Sequence, residues 1–341
     1  MAISRRTSLA ALATTVTLVA AGCASNQDNT GTNADAADAE TSTITIAIDV
    51  PFHPIFDYLM ATSAPDFEEM GYDVEFEVLD ATTQVPSFGR GDVDVITTVP
   101  SFQPRIQEQY GIDTTYFFPM ARWTPGPELL VAPDSSVDSI EDLAGKSVAI
   151  APLSSRFGAE QAAVAAATGD TIDEYFDLTE TDAAAQELTL GRVDAAFVEA
   201  PATAPLLAEG YRPVFSVQEA FEEAFGDPAV MNGGFIASTD FVDKNPEFVD
   251  ALVQLTQEAW TLYQEDPDTV IAEAADVSGI AADQLTLVGE VLNLSGTTEE
   301  QKKVTEQDVE TWTEIYPLLA ESGFIESAPA DPAALFQITG E

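Results

Sequence analysis

An α/β fold built from two successive strand–helix passes is the architecture this sequence predicts, and three observations predict it. Short strands rich in Ile, Val, Thr and Phe alternate with helical stretches from Thr43 to Phe118, the order expected of a parallel sheet covered by helices on both faces. The alternation starts again at Glu128. An internal echo links the two passes: Gly91-Asp92-Val93-Asp94-Val95 and Gly191-Arg192-Val193-Asp194-Ala195 each end a helix, start a strand and lead on to a proline, Pro100 or Pro201.

In the first pass, Thr43-Ile44-Thr45-Ile46-Ala47-Ile48-Asp49 alternates as a strand. Val50-Pro51-Phe52-His53-Pro54 breaks it before a helix from about Ile55 to Met70, because proline removes a backbone donor and the residue before it avoids the helical region. Further strands are expected at Asp73–Leu79, Val93–Thr97 and Thr114–Phe118. Val99-Pro100-Ser101 opens a helix, since a proline in the first turn gives up an N–H that has no partner there.

The second pass has an extended segment at Glu128–Ala132, a short helix at Asp138–Ala144 and a strand at Lys146–Ala151 that delivers the chain to Pro152-Leu153-Ser154-Ser155-Arg156. A small-residue helix, Phe157–Ala167, stops at Gly169. Asp182–Leu190 reads as a helix, Asp194–Val198 as a strand, and Pro201–Ala208 as a helix halted by Gly210. From Asn245 onward the character changes to long helices: Phe248, Leu252, Leu255, Ala259 and Leu262 recur at helical spacing, and Val304–Leu319 is a further helix. These are expected to pad the first pass.

The two ends differ from the body. Residues 1–22 read as a secretory signal peptide, with Arg5-Arg6, an apolar run from Leu9 to Ala21, and small residues before Cys23. Ala20-Ala21-Gly22-Cys23 resembles a bacterial lipoprotein box, which implies lipidation of Cys23, the sole cysteine. Ser4-Arg5-Arg6-Thr7-Ser8-Leu9 is also similar to a twin-arginine export signal, so two export routes stay open. Residues 24–42, rich in Asn, Thr, Asp, Ala and Ser, suit a flexible tether.

Charge narrows the partners. Among 341 residues, 12 Lys+Arg stand against 59 Asp+Glu, a formal net charge of −47. Loss of the leader removes Arg5 and Arg6 and leaves ten basic residues. A nucleic acid backbone needs a basic stripe that so few cations hardly supply. Hydrophobic residues are 45% of the chain, enough for buried cores, so the peculiarity is sign imbalance. Such a surface resembles that of proteins from salty or acid-biased proteomes.

Catalytic and metal chemistry find little material. There is one His and one Cys, with no His-x-x-x-His or Cys-x-x-Cys spacing for zinc. A Gly-x-x-x-x-Gly-Lys-[Ser/Thr] phosphate loop is lacking, so any ATPase belongs to another chain. No catalytic residue, metal ligand or cofactor is assigned.

Several segments together resemble the substrate-binding lipoproteins of ABC importers, in the nitrate/sulfonate/taurine and thiamine-precursor branch with the type 2 periplasmic-binding-protein fold. They are Gly91-Asp92-Val93-Asp94; Ser139-Ile140-Glu141-Asp142-Leu143-Ala144-Gly145-Lys146-Ser147-Val148-Ala149; Leu188-Thr189-Leu190-Gly191-Arg192-Val193-Asp194-Ala195; and Ser238-Thr239-Asp240-Phe241-Val242-Asp243-Lys244-Asn245-Pro246-Glu247-Phe248-Val249. The resemblance spans roughly 43–280, and Asp-Leu-Ala-Gly-Lys is its most specific part. It implies two α/β lobes facing each other across a ligand cleft, lobe 1 from 43–130 plus 236–341 and lobe 2 from 131–235. The crossings between lobes are expected near Leu129-Leu130-Val131 and Gly233-Gly234-Phe235.

Ligands in such sheets sit beyond the carboxyl ends of the strands, at helix N-termini with free N–H groups. Ser154-Ser155-Arg156 is the best candidate there, since hydroxyls and N–H groups hold an oxyanion and Arg156 adds a bidentate cation; the alternative is a simple helix cap. Thr97, Thr98 and Ser101 occupy the matching place in the first pass. Phe52 and the sole histidine, His53, follow the first strand, as a ligand contact or a helix cap. Arg122 and Trp123 precede the first crossing as cleft wall, with ordinary inter-lobe packing the alternative for Trp123. Glu199, if inward, favours a ligand with N–H or cationic groups, and otherwise is a solvated loop acid.

The resemblance thus implies a monomeric, non-enzymatic solute-binding lipoprotein on the outer face of the cell membrane. It would capture a sulfonate-, taurine- or nitrate-like solute and deliver it to an ABC permease and its ATPase. The alternatives are a pyrimidine thiamine precursor or other nitrogenous solute, and an extracytoplasmic enzyme or sensory module on the same fold.

Overall fold

The computed structural model describes residues 43–48, 54–79, 81–122, 129–151, 158–198, 202–291 and 294–339. The expected leader, Cys23 and the expected tether lie outside the described residues. The first pass forms β1 (Thr43–Ile48), α1 (Pro54–Thr62), α2 (Ala64–Glu69), β2 (Asp73–Val78), α3 (Ala81–Arg90), β3 (Val95–Thr98), α4 (Phe102–Tyr110) and β4 (Thr114–Pro119). The second forms β5 (Leu129–Val131), β6 (Ser147–Ile150), α5 (Gly158–Thr168), α6 (Ile172–Tyr175), β7 (Asp177–Glu180), α7 (Ala184–Thr189), β8 (Ala195–Phe197), α8 (Thr203–Ala208), β9 (Arg212–Phe215) and α9 (Val217–Phe225). The chain then returns as β10 (Gly234–Ser238), followed by α10 (Thr239–Lys244), α11 (Pro246–Glu265), α12 (Pro267–Ser278), α13 (Ala282–Val291) and α14 (Glu306–Glu321).

Two five-stranded sheets result, ordered β2-β1-β3-β10-β4 and β7-β6-β8-β5-β9. In each, the strand in second place pairs in parallel with both neighbours, β1 with β2 and β3, and β6 with β7 and β8. The fourth place is taken by the strand that follows a crossing, antiparallel on both sides: β10 between β3 and β4, β5 between β8 and β9. Each crossing therefore ends as a structural strand of the sheet it enters, with β5 beginning at Leu129 and β10 at Gly234.

The sequence echo is a repeated hydrogen-bond device. The Asp94 carboxylate accepts the Thr45 N–H at 2.9 Å while the Asp94 N–H donates to the Thr45 carbonyl. Asp194 repeats this with Ser147, accepting its N–H at 3.0 Å and its hydroxyl at 2.6 Å. Gly91 and Gly191, with φ of +75° and +63°, turn the chain out of α3 and α7 in the left-handed conformation that a side chain disfavours.

The expected helix over 55–70 is two helices, because Pro65 stands in the first turn of α2 and a proline inside a continuous helix costs about 3 kcal/mol. The helix that the echo places before Gly91 is α3, which contains Pro86, and an unexpected element is β9, whose Pro213 is tolerated at the sheet edge. The short polar strand β7 and helix α9 also escape the sequence pattern.

One cluster, with Ile46, Phe118, Phe235, Phe248 and Trp260, packs α1, α2, α11, α12 and α13 on the first sheet, as the long-helix pattern predicts. Helix α14 departs from that expectation. Trp312, Ile315 and Tyr316 share a cluster with Ala47, Ile96 and Tyr116 of the first sheet, and also with Ala159, Ala162 and Ala163 of α5 and Phe221 of α9. This helix therefore packs on elements of both passes and not on the first alone. No helix among the described residues is long and apolar enough to cross a membrane.

Candidate functional site

The C-terminal end of β3 carries Thr97 and Thr98, both buried. The Thr97 N–H donates to Gln84 Oε1 at 3.0 Å, and Gln84 Nε2 in turn donates to the Leu79 carbonyl, so α3 fixes the strand end. Alternation along β3 turns Thr97 and Thr98 to opposite faces. Opposite Thr98 in β10 is Gly234, where a Cβ would meet the Tyr116 hydroxyl at 2.0 Å and the Phe118 carbonyl at 2.3 Å. Only glycine lets β10 lie this close to the Tyr116 side chain.

Ser101 precedes α4, and its hydroxyl makes no cap. It is fully buried, and its oxygen has no hydrogen-bond partner. A buried hydroxyl left unsatisfied costs about 1–3 kcal/mol, so this oxygen is a place for an incoming group to gain a bond. Beside it, the Pro100 carbonyl accepts the Tyr316 hydroxyl at 3.3 Å, tying the loop to α14. Thr97 and Thr98 thus end β3 on opposite faces, and Ser101 lies in the turn that follows them.

Arg122 is placed elsewhere, which corrects its expected role as cleft wall. Its guanidinium is buried, and all five of its N–H donors are taken. Nε donates to the Gln301 carbonyl, the Nη1 hydrogens go to the Ala229 carbonyl and Asp308, and those of Nη2 to the Lys303 carbonyl and Asp308. Nothing remains for a solute. Phe52, His53, Trp123, Ser154, Ser155, Arg156 and Glu199 lie outside the described residues. In the sequence they follow β1, β4, β6 and β8.

Two buried acids were not legible as special. Asp57, on α1, is 1% exposed, neither carboxylate oxygen has a partner, and burial pushes its pKa up to about 7. The only sequence signal is an acid inside the apolar run Ile55-Phe56-Asp57-Tyr58-Leu59. Asp227 is raised chiefly by burial, against the bonds it accepts from the Ala229 N–H and the Thr311 hydroxyl. Among the described residues no group of three or more His, Cys, Asp or Glu is placed to hold a metal ion.

A family model for the ABC transporter, phosphonate, periplasmic substrate-binding protein matches residues 50–259. That range starts just after β1 and runs through the other strands of both sheets into α11. No match emerged among curated proteins. Among solved structures, the periplasmic aliphatic sulphonate binding protein SsuA from Escherichia coli is similar with a TM-score of 0.66 and 17% identity, over 88% of this chain and 93% of that one. The alkanesulfonate-binding protein SsuA from Xanthomonas axonopodis pv. citri, bound to MOPS, gives 0.65 and 17%, over 88% and 99%. The desulfurization enzyme DSZB has the same fold at 0.58 and 16%, over 88% and 96%. The two sheets are thus the two lobes of a periplasmic binding protein, and the chain belongs to the family of ABC-transporter phosphonate periplasmic substrate-binding proteins.

Proposed function

We propose that this chain is the extracytoplasmic solute-binding lipoprotein of an ABC importer, anchored through Cys23, that captures a small sulfonate- or phosphonate-like oxyanion between its lobes for a permease and its ATPase. The lobes are taken as 43–130 plus 236–341 and 131–235, within a residue or two of the starts of β5 and β10. The observation that carries the reading is the buried, unpartnered Ser101 hydroxyl in the turn that follows β3. That is where open α/β sheets receive ligands. Ser154, Ser155 and Arg156 follow β6 at the corresponding place in the second lobe and supply hydroxyls and a cation suited to a tetrahedral anion. Phe52, His53, Trp123 and Glu199 complete the proposed lining.

Support for the anion class comes from the family description, which names phosphonate, and from the sulfonate-binding proteins that share the fold. A thermal-shift panel of alkanesulfonates, taurine, alkylphosphonates, nitrate and an aminopyrimidine tests it. Stabilisation by sulfonates or phosphonates is expected. Stabilisation by the pyrimidine or by amines alone would transfer the protein to the thiamine-precursor reading. Intact recovery of the stabilising compound after incubation separates binding from an enzymatic role.

A further inference from the structure

We propose that α14 is a strap that fastens both inter-lobe crossings and sets the resting angle between the lobes, with Arg122 and Phe324 as its positioning residues. The inference rests on the two-lobed binding reading above, because a resting angle matters only if the lobes close on a solute. The crossings pair with each other as a short antiparallel ribbon. Met120 and Ala121 donate their N–H groups to the Gly233 carbonyl, Asn232 donates to the Ala121 carbonyl, and Arg122 bridges Met231.

Helix α14 and the segment before it bind this ribbon on both strands. On the first strand, the Arg122 guanidinium reaches the Gln301 and Lys303 carbonyls and Asp308, while its bond to the Ala229 carbonyl reaches back to the second. On the second strand, Trp312 Nε1 donates to the Met231 carbonyl at 3.2 Å, and the Thr311 hydroxyl donates to Asp227 at 2.9 Å. An arginine whose five donors all meet carbonyls and a carboxylate fixes orientation as well as distance.

The far end of the strap touches both lobes. The Phe324 ring meets the Phe102 ring of α4 edge-on, with centroids 5.7 Å apart, and the Arg105 guanidinium lies over both rings. On its other side Phe324 faces Gly158, the first residue of α5, where a Cβ would come within 2.8 Å of the ring. Helices α4 and α5 follow β3 and β6, so Phe324 links the helices that start behind the two halves of the proposed site. Opening the lobes must therefore slide α5 off Phe324 or turn the ribbon against Arg122. Packed interfaces move between discrete arrangements and do not deform continuously.

Spin labels at E77C and D177C, on exposed edge strands of the two sheets in the full chain carrying C23S, report the inter-lobe distance without any solute. Wild type is expected to give one narrow distribution. Gly158→Val, a wedge under Phe324, should displace and broaden it roughly twofold or more, as should Arg122→Lys, which loses the fork. Phe324→Leu, keeping an apolar body at the contact, should stay close to wild type. A variant that fails to fold is replaced by Gly158→Ala or by the charge-free pair Arg122→Gln with Asp308→Asn, read in the same way. A broad wild-type distribution, or unchanged distributions in folded variants, would overturn the strap. Because no solute enters the experiment, that failure is distinct from failure of the solute class.

Discussion

The two sheets have one strand order and unequal cores. The first is filled by large aromatic rings: Phe118, Phe235, Phe248 and Trp260 on one face, and Tyr116, Trp312 and Tyr316 on the other, all essentially inaccessible to solvent. The second is packed mainly by aliphatic and small residues such as Leu130, Val148, Ala149, Ile150, Ala195 and Ala196. An aromatic side chain buries about 150–250 Å², so ring for ring the first sheet gains more on folding. Topology repeats, and energetics do not. The first lobe serves as the frame, thickened by α11 to α13, while the second is a lighter body attached through its crossings and α14.

The largest effect should follow from breaking the frame. Trp260→Ala removes a buried ring that packs on Phe118, together with its bond to the Leu294 carbonyl, and should cost about 3–5 kcal/mol in urea unfolding. Ile150→Val in the second sheet should cost about 0.5–1.5 kcal/mol. Equal losses would show that the two cores carry equal weight.

Asp57 is a flaw within the strong frame, and pH exposes it. Its pKa is raised to about 7, so the folded state holds the proton more tightly than the unfolded one. Stability is then highest below the unfolded pKa near 4 and falls as pH rises through about 7, by at most about 4 kcal/mol. Asp57→Asn should match wild type near pH 4 and melt higher at pH 8. A wild type whose melting temperature at pH 8 is not raised by the substitution would remove this burial penalty.

The smallest effect concerns the device common to both sheets. Asp194 titrates below its usual range, first because the Ser147 hydroxyl bonds its carboxylate. A lowered carboxylate pKa stabilises above the unfolded value and is lost as pH falls through the folded one. The group is exposed, so solvent screening holds the Ser147→Ala loss at neutral pH below about 1 kcal/mol, and it should vanish in acid. A loss that persists unchanged at low pH would assign the effect to packing.

Much of this layout is readable in the residues themselves. The alternating run Thr43–Ile48, the echo at Gly91 and Gly191 and the helical period from Phe248 to Leu262 all announce elements found in the structure. The signals that fail do so for tertiary reasons. Pro86 within α3 and Pro213 in β9 contradict local propensity, and position in the sheet decides. Arg122 shows the limit for the site, because residue type cannot distinguish a cation facing a cleft from one enclosed by three carbonyls and one carboxylate distant in sequence. Ser101 was legible from its place after a strand, whereas its missing partner was not.

Calorimetric titration of the sulfonate or phosphonate that most stabilises the protein, against wild type and Arg156→Ala, decides whether the chain is an oxyanion receptor. One-to-one binding that weakens about ten- to hundredfold on loss of the charge-assisted bond is expected. Binding to no member of the oxyanion series, or an affinity untouched by Arg156→Ala, would contradict it.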